Sequence, residues 1–197
     1  MKVFLIAFVF VLLAVTACGS REVTRTDTDT VTDLSGYWND TDARIVADSI
    51  VDQCLTGRWF DTRAVRGDSR VSDIPVIVVG GVRNQSTEHI NVDVFMSEIE
   101  RSLLNSGRFQ IAAGGRERDE VRGERRDQSI FASPATAAEF GREVGADYVM
   151  TGTVNSIEDQ EDDTRVIFYQ VNIELIDVET ALKVWMGSAE IKKVIEW

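Results

Sequence analysis

The residues that most often carry catalysis and metal binding are scarce in this chain of 197 residues, which has one histidine and two cysteines. A zinc site takes about four nitrogen, sulfur or oxygen ligands, and His89 has no second histidine with which to share a metal. Cys54 lies at helical spacing with Val46 and Ile50, which indicates a buried apolar side chain and not a reactive thiol. We interpret His89 as a surface loop residue. We therefore predict no catalytic residue, no metal site and no cofactor.

Basic residues are in the minority, with 21 Lys and Arg against 33 Asp and Glu, which gives a formal net charge of −12. A field of this sign repels phosphate backbones, so the composition argues against nucleic acid as a partner. It also gives the protein no electrostatic attraction to anionic lipid, so contact with a membrane needs another anchor. Residues 116–127 hold five arginines and five acids. This balance favours a solvated, salt-bridged helix or loop.

Other motifs that would indicate chemistry are incomplete. Gly80-Gly81 follows a predicted strand, but it lacks the spaced glycines and the Lys-Ser/Thr pair of a phosphate-binding loop. The acidic stretch 158–163 lacks the Asp/Asn alternation and the glycine of a calcium loop, so we interpret it as a solvated hairpin connector. A pair of carboxylates of the kind used in glycoside hydrolysis stays open as an alternative, although nothing in the sequence singles out such a pair.

The N-terminal residues have the layout of a secretory signal peptide. Lys2 supplies a positive charge, and residues 3–15 are thirteen apolar residues without interruption. As a helix they cover only about 20 Å, which is less than a hydrocarbon core of about 30 Å. The Val-Thr-Ala-Cys sequence that ends at Cys18 resembles the lipobox of bacterial lipoproteins, in which the cysteine thiol takes the lipid. We predict a lipoprotein signal peptide over residues 1–17 and lipidation of Cys18; an ordinary signal peptide with an incidental cysteine is the alternative.

A polar stretch rich in Thr and Asp follows the cysteine up to residue 33. It cannot bury enough apolar surface to offset the entropy cost of ordering, so residues 18–33 are predicted to be a flexible tether. About fifteen residues reach at most about 50 Å when fully stretched. The remaining residues, 34–197, suffice for one globular domain.

Helical signals recur along this domain. Two helices have clear N-terminal caps, one at Asn39 or Asp40 and the other at Asn91 or Asp93. We expect the first to run to about residue 55 and the second to stop at a glycine, residue 107. A further helix is predicted over residues 134–145, because serine followed by proline is a typical helix start. With the charged stretch described above, the sequence predicts about four helices.

Strand signals complete the fold prediction. The run DIPVIVVG, residues 73–80, is β-branched and predicts a strand buried on both faces and closed by the glycine pair. Residues 108–112 are a short strand candidate. Three alternating strands follow at residues 147–157, 165–177 and 182–195, with connectors that suit antiparallel hairpins. We predict a single α/β (α+β) domain whose mixed β-sheet ends in an antiparallel meander and is packed by helices.

Six short motifs of the domain are unusual when taken together. They are DLSGYWNDTD at residues 33–42, VRNQSTEHI at 82–90, GADY at 145–148, TGTV at 151–154, FYQV at 168–171 and KVW at 183–185. Together they resemble the LpoB family of outer-membrane lipoproteins, the activators of penicillin-binding proteins. The resemblance covers almost all of residues 33–195. It implies a fold like that of the N-terminal domain of TolB, a mixed sheet packed with helices.

The resemblance also implies a role. The protein would be no enzyme but a lipid-anchored protein on the periplasmic face of the outer membrane that binds and activates a bifunctional penicillin-binding protein, a peptidoglycan synthase. Family members that reach an inner-membrane synthase use a long disordered tether, whereas the tether here has about fifteen residues. Its length leaves the choice between outer and inner membrane open. The alternative is an assembly or structural envelope lipoprotein related to curli-type secretion proteins, although the extra pair of long strands that forms a pore is missing.

The outer face of the last strands is the predicted contact surface. An apolar spot within a polar rim suits a modest protein interface. The alternative is that another helix covers Phe168. Two further residues follow the strand of residues 73–80 in a predicted loop, where they contact the partner or brace the loop. The residues assigned to partner binding are Asn155, Val166, Phe168 and Gln170 on the strands and Arg83 and Asn84 in the loop.

Overall fold

The computed structural model describes residues 22–62, 74–131 and 145–197. Thr32–Trp197 form one compact unit, and residues 22–31, which belong to a separate unit, are exposed. The predicted signal peptide, Cys18 and the predicted helix after Ser133 lie outside the described residues. Among the helices of the described ranges, none has the length and apolar character needed to cross a membrane.

The described elements alternate between helices and strands. The helices are α1 (Asp40–Thr56), α2 (Trp59–Thr62), α3 (Val92–Asn105) and α4 (Gly115–Phe131), and the strands are β1 (Val76–Asn84), β2 (Gln110–Ala112), β3 (Tyr148–Glu161), β4 (Thr164–Asp177) and β5 (Lys183–Glu196). One sheet has the strand order β2-β1-β3-β4-β5. β1 is parallel to both of its neighbours, and β3, β4 and β5 form an antiparallel meander. The predicted single domain with a mixed sheet is confirmed.

The two long helices that pack on the sheet begin at asparagine caps. Asn39 starts α1 with a capping box, in which the Asp42 amide donates to Asn39 Oδ1 over 3.1 Å and the Asn39 amide donates to Asp42 Oδ2 over 2.9 Å. Asn91 starts α3, because its Oδ1 accepts a hydrogen bond from the Asp93 amide. Past the end of α3, Gly107 has a φ of +69°, a left-handed conformation that glycine adopts without steric cost. These helix limits were predicted from the sequence.

The core lies between one face of the sheet and helices α1 and α3. The alternation predicted for β3 and β4 is confirmed, because every second residue is buried from Tyr148 to Val154 in β3 and from Ile167 to Asp177 in β4. The helices contribute fully buried residues, including Val46, Ile50 and Cys54 of α1 and Phe95, Ile99 and Leu103 of α3. Burial raises the pKa of the Cys54 thiol to about 12. The thiol is therefore a core group, as the sequence indicated, and stays protonated at neutral pH.

Two predicted strand limits were wrong. Gly80 and Gly81 do not close β1 but lie inside it, at a register shift between Val79 and Val82. A β-bulge inserts an extra residue without ending the pairing, and a Cβ on Gly80 would come within 2.9 Å of the Met150 carbonyl oxygen. A glycine inside a strand marks this kind of close approach.

The acidic stretch 158–163 was also misassigned as a connector. β3 continues to Glu161 and β4 begins at Thr164, so only Asp162 and Asp163 form the turn. Asp162 adopts a φ of +48°, which Asp tolerates better than most residues. The β3–β4 hairpin is consequently longer than expected, and the end that carries the turn is acidic and exposed.

Candidate partner-binding face

All but one of the predicted contact residues lie on the face of the sheet opposite to α1 and α3, which we call the outer face. In the register of the meander, Phe168 of β4 lies between Ile157 of β3 and Lys192 of β5, and Val166 pairs with Val194 of β5. The side chains of Ile157 and Val194 are 67% and 59% exposed. Val166 and Phe168 are half-buried. We call Ile157, Val166, Phe168 and Val194 the apolar patch.

A row of polar side chains borders the apolar patch on one side. Asn155, Gln170 and Glu190 occupy equivalent positions on β3, β4 and β5. Gln170 Nε2 donates to Glu190 Oε1 over 3.2 Å, and Asn172 Nδ2 donates to Gln170 Oε1 over 3.3 Å. Asn155 Nδ2 donates to Thr153 Oγ1 over 3.2 Å. These mutual bonds hold the polar row in place beside the patch.

Five of the six predicted contact residues share this face. Arg83 pairs with Thr153 in the parallel register of β1 and β3, so it flanks the polar row on the outer face. Asn84, the next residue, is directed to the other side. Its Nδ2 donates to the Glu88 carbonyl over 2.7 Å, and its Oδ1 accepts from the Ser86 amide over 3.0 Å. Asn84 therefore braces the turn after β1, and both residues belong to β1 and not to a loop.

Sequence reasoning missed two members of the apolar patch, Ile157 and Val194. Ile157 is the last residue of the predicted strand, and the predicted alternation of the last strand does not include Val194. The available signal was the two-residue period. Ile157 continues the outward series of Thr153 and Asn155, while Val194 continues that of Glu190 and Lys192.

A second polar site lies on the opposite side of the sheet. There the carboxylate of Glu88 accepts hydrogen bonds from the Trp38 amide, over 3.1 Å, and from the Tyr169 hydroxyl. The Trp38 ring packs edge-on against the Tyr169 ring, with 5.4 Å between the ring centroids. It is tilted against the Phe95 ring, with 6.1 Å between the centroids. Burial, and then the hydrogen bond and charge of Glu88, raise the pKa of Tyr169. The hydroxyl therefore remains a donor to Glu88 across the physiological range.

Lys193 of β5 completes this site from the neighbouring strand. Its Nζ lies 2.7 Å from Asp42 Oδ2 and 2.9 Å from Asp33 Oδ1, and donates to the Tyr37 carbonyl over 3.0 Å. Burial opposes the charge, but hydrogen bonds and attraction from the two carboxylates outweigh it and raise the pKa of Lys193. The pKa of Asp33 is lowered, chiefly by its hydrogen bond to Lys193.

We call the residues of this second site the clasp, because it fastens the segment before α1 to the sheet. The clasp consists of Asp33, Trp38, Asp42, Glu88, Tyr169 and Lys193. Its members come from the motifs at residues 33–42, 82–90 and 168–171, and from the last strand. Three of the unusual sequence motifs thus meet at one place and have a structural role there.

The family model described as the peptidoglycan-synthase activator LpoB matches residues 42–191, which is more than half of the chain. The chain belongs to the LpoB family. The matched range includes most of α1, β1 to β4 and most of β5, so it contains most of the sheet. The resemblance found in the sequence motifs is confirmed.

Solved structures of LpoB domains resemble this chain at low identity. The C-terminal domain of LpoB from Salmonella enterica is 18% identical, with a TM-score of 0.43, and the match covers 76% of this chain and 98% of that one. The corresponding Escherichia coli domain is 18% identical, with a TM-score of 0.42 and coverages of 79% and 99%. The lipoprotein GNA1162 from Neisseria meningitidis is 19% identical, with a TM-score of 0.38 and coverages of 60% and 82%. No curated protein matches the sequence. Membership of the LpoB family rests on the family model alone.

Two cavities of this LpoB-family protein are lined by residues outside the apolar patch. One is an open groove of about 500 Å³ beside the clasp, lined by His89 and by Arg165, which is already paired with Glu158. The other has about 470 Å³ and lies beside the bulge of β1, with Glu100 and Glu117 in its wall. Burial, and then the charge of Glu117, raise the pKa of Glu100. Among the described residues, no group of His, Cys, Asp and Glu is arranged to hold a metal ion.

Proposed function

We propose that this protein is a membrane-anchored lipoprotein that binds and activates a bifunctional penicillin-binding protein, and so regulates peptidoglycan synthesis. The observation that carries the proposal is the match of the peptidoglycan-synthase activator family to residues 42–191. An activator needs a contact surface and no reactive centre. The scarcity of histidine and cysteine in the sequence is in keeping with that role.

Lipid on Cys18 supplies the anchor in this proposal. The lipobox-like sequence and the apolar leader support it, and a chain with a net charge of −12 gains no attraction to anionic lipid by itself. We place the lipid in the outer membrane, on the periplasmic face, as for the family. A tether of about fifteen residues reaches at most about 50 Å. The synthase must therefore project to within that distance of the membrane that holds the lipid.

The apolar patch and its polar row are the surface on which the synthase docks in this proposal. A small apolar centre within a polar rim is the usual anatomy of a protein interface. Val194 and Ile157 are the most exposed members, so they lose the most water-accessible area when a partner covers them. Burial of an exposed aliphatic side chain contributes about 1.5–3 kcal/mol. The patch can thus supply the energetic centre of a docking site, with Arg83 and Asn155 at its border.

A matched pair of substitutions tests this docking surface. Val194 in the patch is 59% exposed, and Val178, at the turn between β4 and β5, is 54% exposed. The same substitution, Val→Asp, is therefore made at two positions of similar solvent exposure. Val194→Asp is expected to weaken binding to the synthase by at least about 2 kcal/mol, roughly thirtyfold, because a charge replaces buried apolar area. Val178→Asp is expected to leave the affinity unchanged within about twofold. Binding is measured by titration of the cognate synthase in detergent.

The outcome of this titration separates the family role from the assigned surface. If the two variants bound the synthase with equal affinity, the apolar patch would not be the docking surface, but the proposed family role would still stand. Failure of the unmodified protein to bind the synthase at micromolar concentration would refute the proposed function.

A further inference from the structure

One edge of the sheet, formed by β5, is open along part of its length. β5 is the last strand of the sheet, and only one of its sides pairs with β4. In an antiparallel pair, the backbone N–H and C=O groups of successive residues point alternately toward the partner strand and away from it. The Trp197 amide donates to the Asp163 carbonyl, so the backbone groups of Trp197, and of every second residue before it, point toward β4. The N–H and C=O groups of Glu190, Lys192 and Val194 therefore point away from β4.

The upstream part of this edge is closed by a side chain. Gln53 of α1 bonds to both backbone groups of Ser188: its Nε2 donates to the Ser188 carbonyl over 2.8 Å, and its Oε1 accepts from the Ser188 amide over 3.1 Å. The carboxamide thus takes the place of a neighbouring strand. Beyond it, in the described ranges, no hydrogen-bond partner reaches the outward backbone groups of Glu190, Lys192 or Val194.

The unpaired segment, Glu190–Glu196, is about 23 Å long at 3.3 Å per residue. It is continuous with the apolar patch, because Val194 belongs to both. Proteins usually blunt such an edge, since unpaired N–H and C=O groups are a template for another strand. Here Lys192 is the one basic residue exposed on it, between Glu190 and Glu196.

We propose that this segment binds an extended strand of a different protein, neutral or basic in charge, which adds to the sheet beside β5. Strand addition gives affinity through main-chain hydrogen bonds and selectivity through alternate side chains. The net charge of −12 repels a second copy of this chain and other acidic segments, attracts a basic segment and does not oppose a neutral one. On the outer face, the side chains of Glu190 and Glu196 favour basic residues opposite them in the added strand, and Lys192 favours an acidic residue. The proposal stands independently of the synthase assignment.

Amide hydrogen exchange of the full-length chain in detergent tests whether the edge is open. The amides of Glu190, Lys192 and Val194 are expected to exchange rapidly, while those of Ile191 and Ile195, which point toward β4, exchange slowly. Slow exchange at all five positions would overturn the proposal. Sedimentation of the same sample is expected to give a monomer. A dimer that buries these amides would make a second copy the occupant and would also overturn it.

Two peptides of reversed charge then probe the edge. Lys-Thr-Val-Thr-Glu-Thr-Lys carries the complementary pattern, and Glu-Thr-Val-Thr-Lys-Thr-Glu carries the opposite one. The first is expected to bind about tenfold more tightly, because three cross-strand charge pairs change sign, and to protect the amides of Glu190, Lys192 and Val194. Binding of neither peptide, or equal binding of both, would overturn the proposal.

A pair of substitutions at Val194 separates the backbone contribution from that of the side chain. Val194→Pro removes an outward N–H that β4 does not use, so the sheet tolerates it at this edge. It is expected to weaken binding of the complementary peptide at least about tenfold, since one cross-strand bond is lost and the next strand cannot approach. Val194→Thr keeps the N–H and the β-branched shape, and is expected to stay within about threefold of the unmodified chain. Equal effects of the two variants would contradict strand addition, and a thermal melt checks that both fold.

Discussion

Substitution of Lys193 by methionine tests the clasp, which joins the segment before α1 to the sheet. The side chains of Lys193 and Asp42 are only 11% and 6% exposed, and their charged atoms lie 2.7 Å apart. Removing the ammonium leaves the Asp42 carboxylate buried near Tyr169 without its cation. Loss of one partner of a buried ion pair costs about 3–5 kcal/mol. Asp42 still accepts a hydrogen bond from the Asn39 amide, so we expect a loss of unfolding free energy at the lower end of this range, about 3 kcal/mol.

Urea unfolding followed by tryptophan fluorescence measures this change, since Trp38 lies in the clasp. With a slope of about 1.5–2 kcal/mol per molar urea, the Lys193→Met midpoint should fall by about 1.5–2 M. The double variant Asp42→Asn with Lys193→Met removes the orphaned charge and should recover at least about 1 kcal/mol. A loss below about 1 kcal/mol for Lys193→Met, with no recovery in the double variant, would refute the reasoning.

The pH dependence of stability gives an independent check on the same residue. Folding raises the pKa of Lys193 above its usual 10.5, so its contribution is fully present below that value. It is lost as the pH rises through the folded pKa. Stability of the unmodified chain should therefore fall above pH 10.5 more steeply than that of Lys193→Met. Parallel curves would show that the ammonium makes no net contribution.

Three further predictions concern local structure. Asn39→Ala should cost about 1 kcal/mol in urea unfolding, because the cap of α1 loses its side-chain acceptor; an unchanged midpoint would contradict this. Cys54 should not react with a thiol reagent at pH 8 in the folded protein, since burial raises its pKa to about 12, whereas rapid labelling would contradict its place in the core. Gly152→Ala should prevent stable folding, seen by circular dichroism, because its Cβ would collide with the Asn172 carbonyl; a folded variant would contradict the close approach of β3 and β4.

The sequence predicted the sheet and its faces well because both follow from local periodicity. The alternation of β3 and β4, the caps at Asn39 and Asn91, and the buried state of Cys54 each depend on residues close together in the chain. The outward direction of Phe168 and Gln170 follows from the same period. Their position on the outer face therefore needed no knowledge of distant contacts, whereas the period alone did not decide whether a helix covers Phe168.

The features that the sequence did not predict depend on contacts between distant residues. The glycine pair was taken as a strand end, but the approach of Met150 across the sheet explains why glycine occurs within β1. The acidic residues after Ile157 stay in strand conformation because β4 pairs with them throughout, and Arg165 forms an ion pair with Glu158. The clasp brings Lys193 to Asp33 across most of the domain, and no local pattern encodes such a pairing.

The rate of glycan polymerisation by the cognate penicillin-binding protein tests the proposed role most directly. The full-length protein and the synthase are combined in detergent with lipid-linked precursor, and the initial rate is compared with that of the synthase alone. At a concentration near the dissociation constant of the unmodified protein, we predict a higher rate with the unmodified protein and with Val178→Asp, and a rate near that of the synthase alone with Val194→Asp. An unchanged rate at saturating unmodified protein would contradict the account.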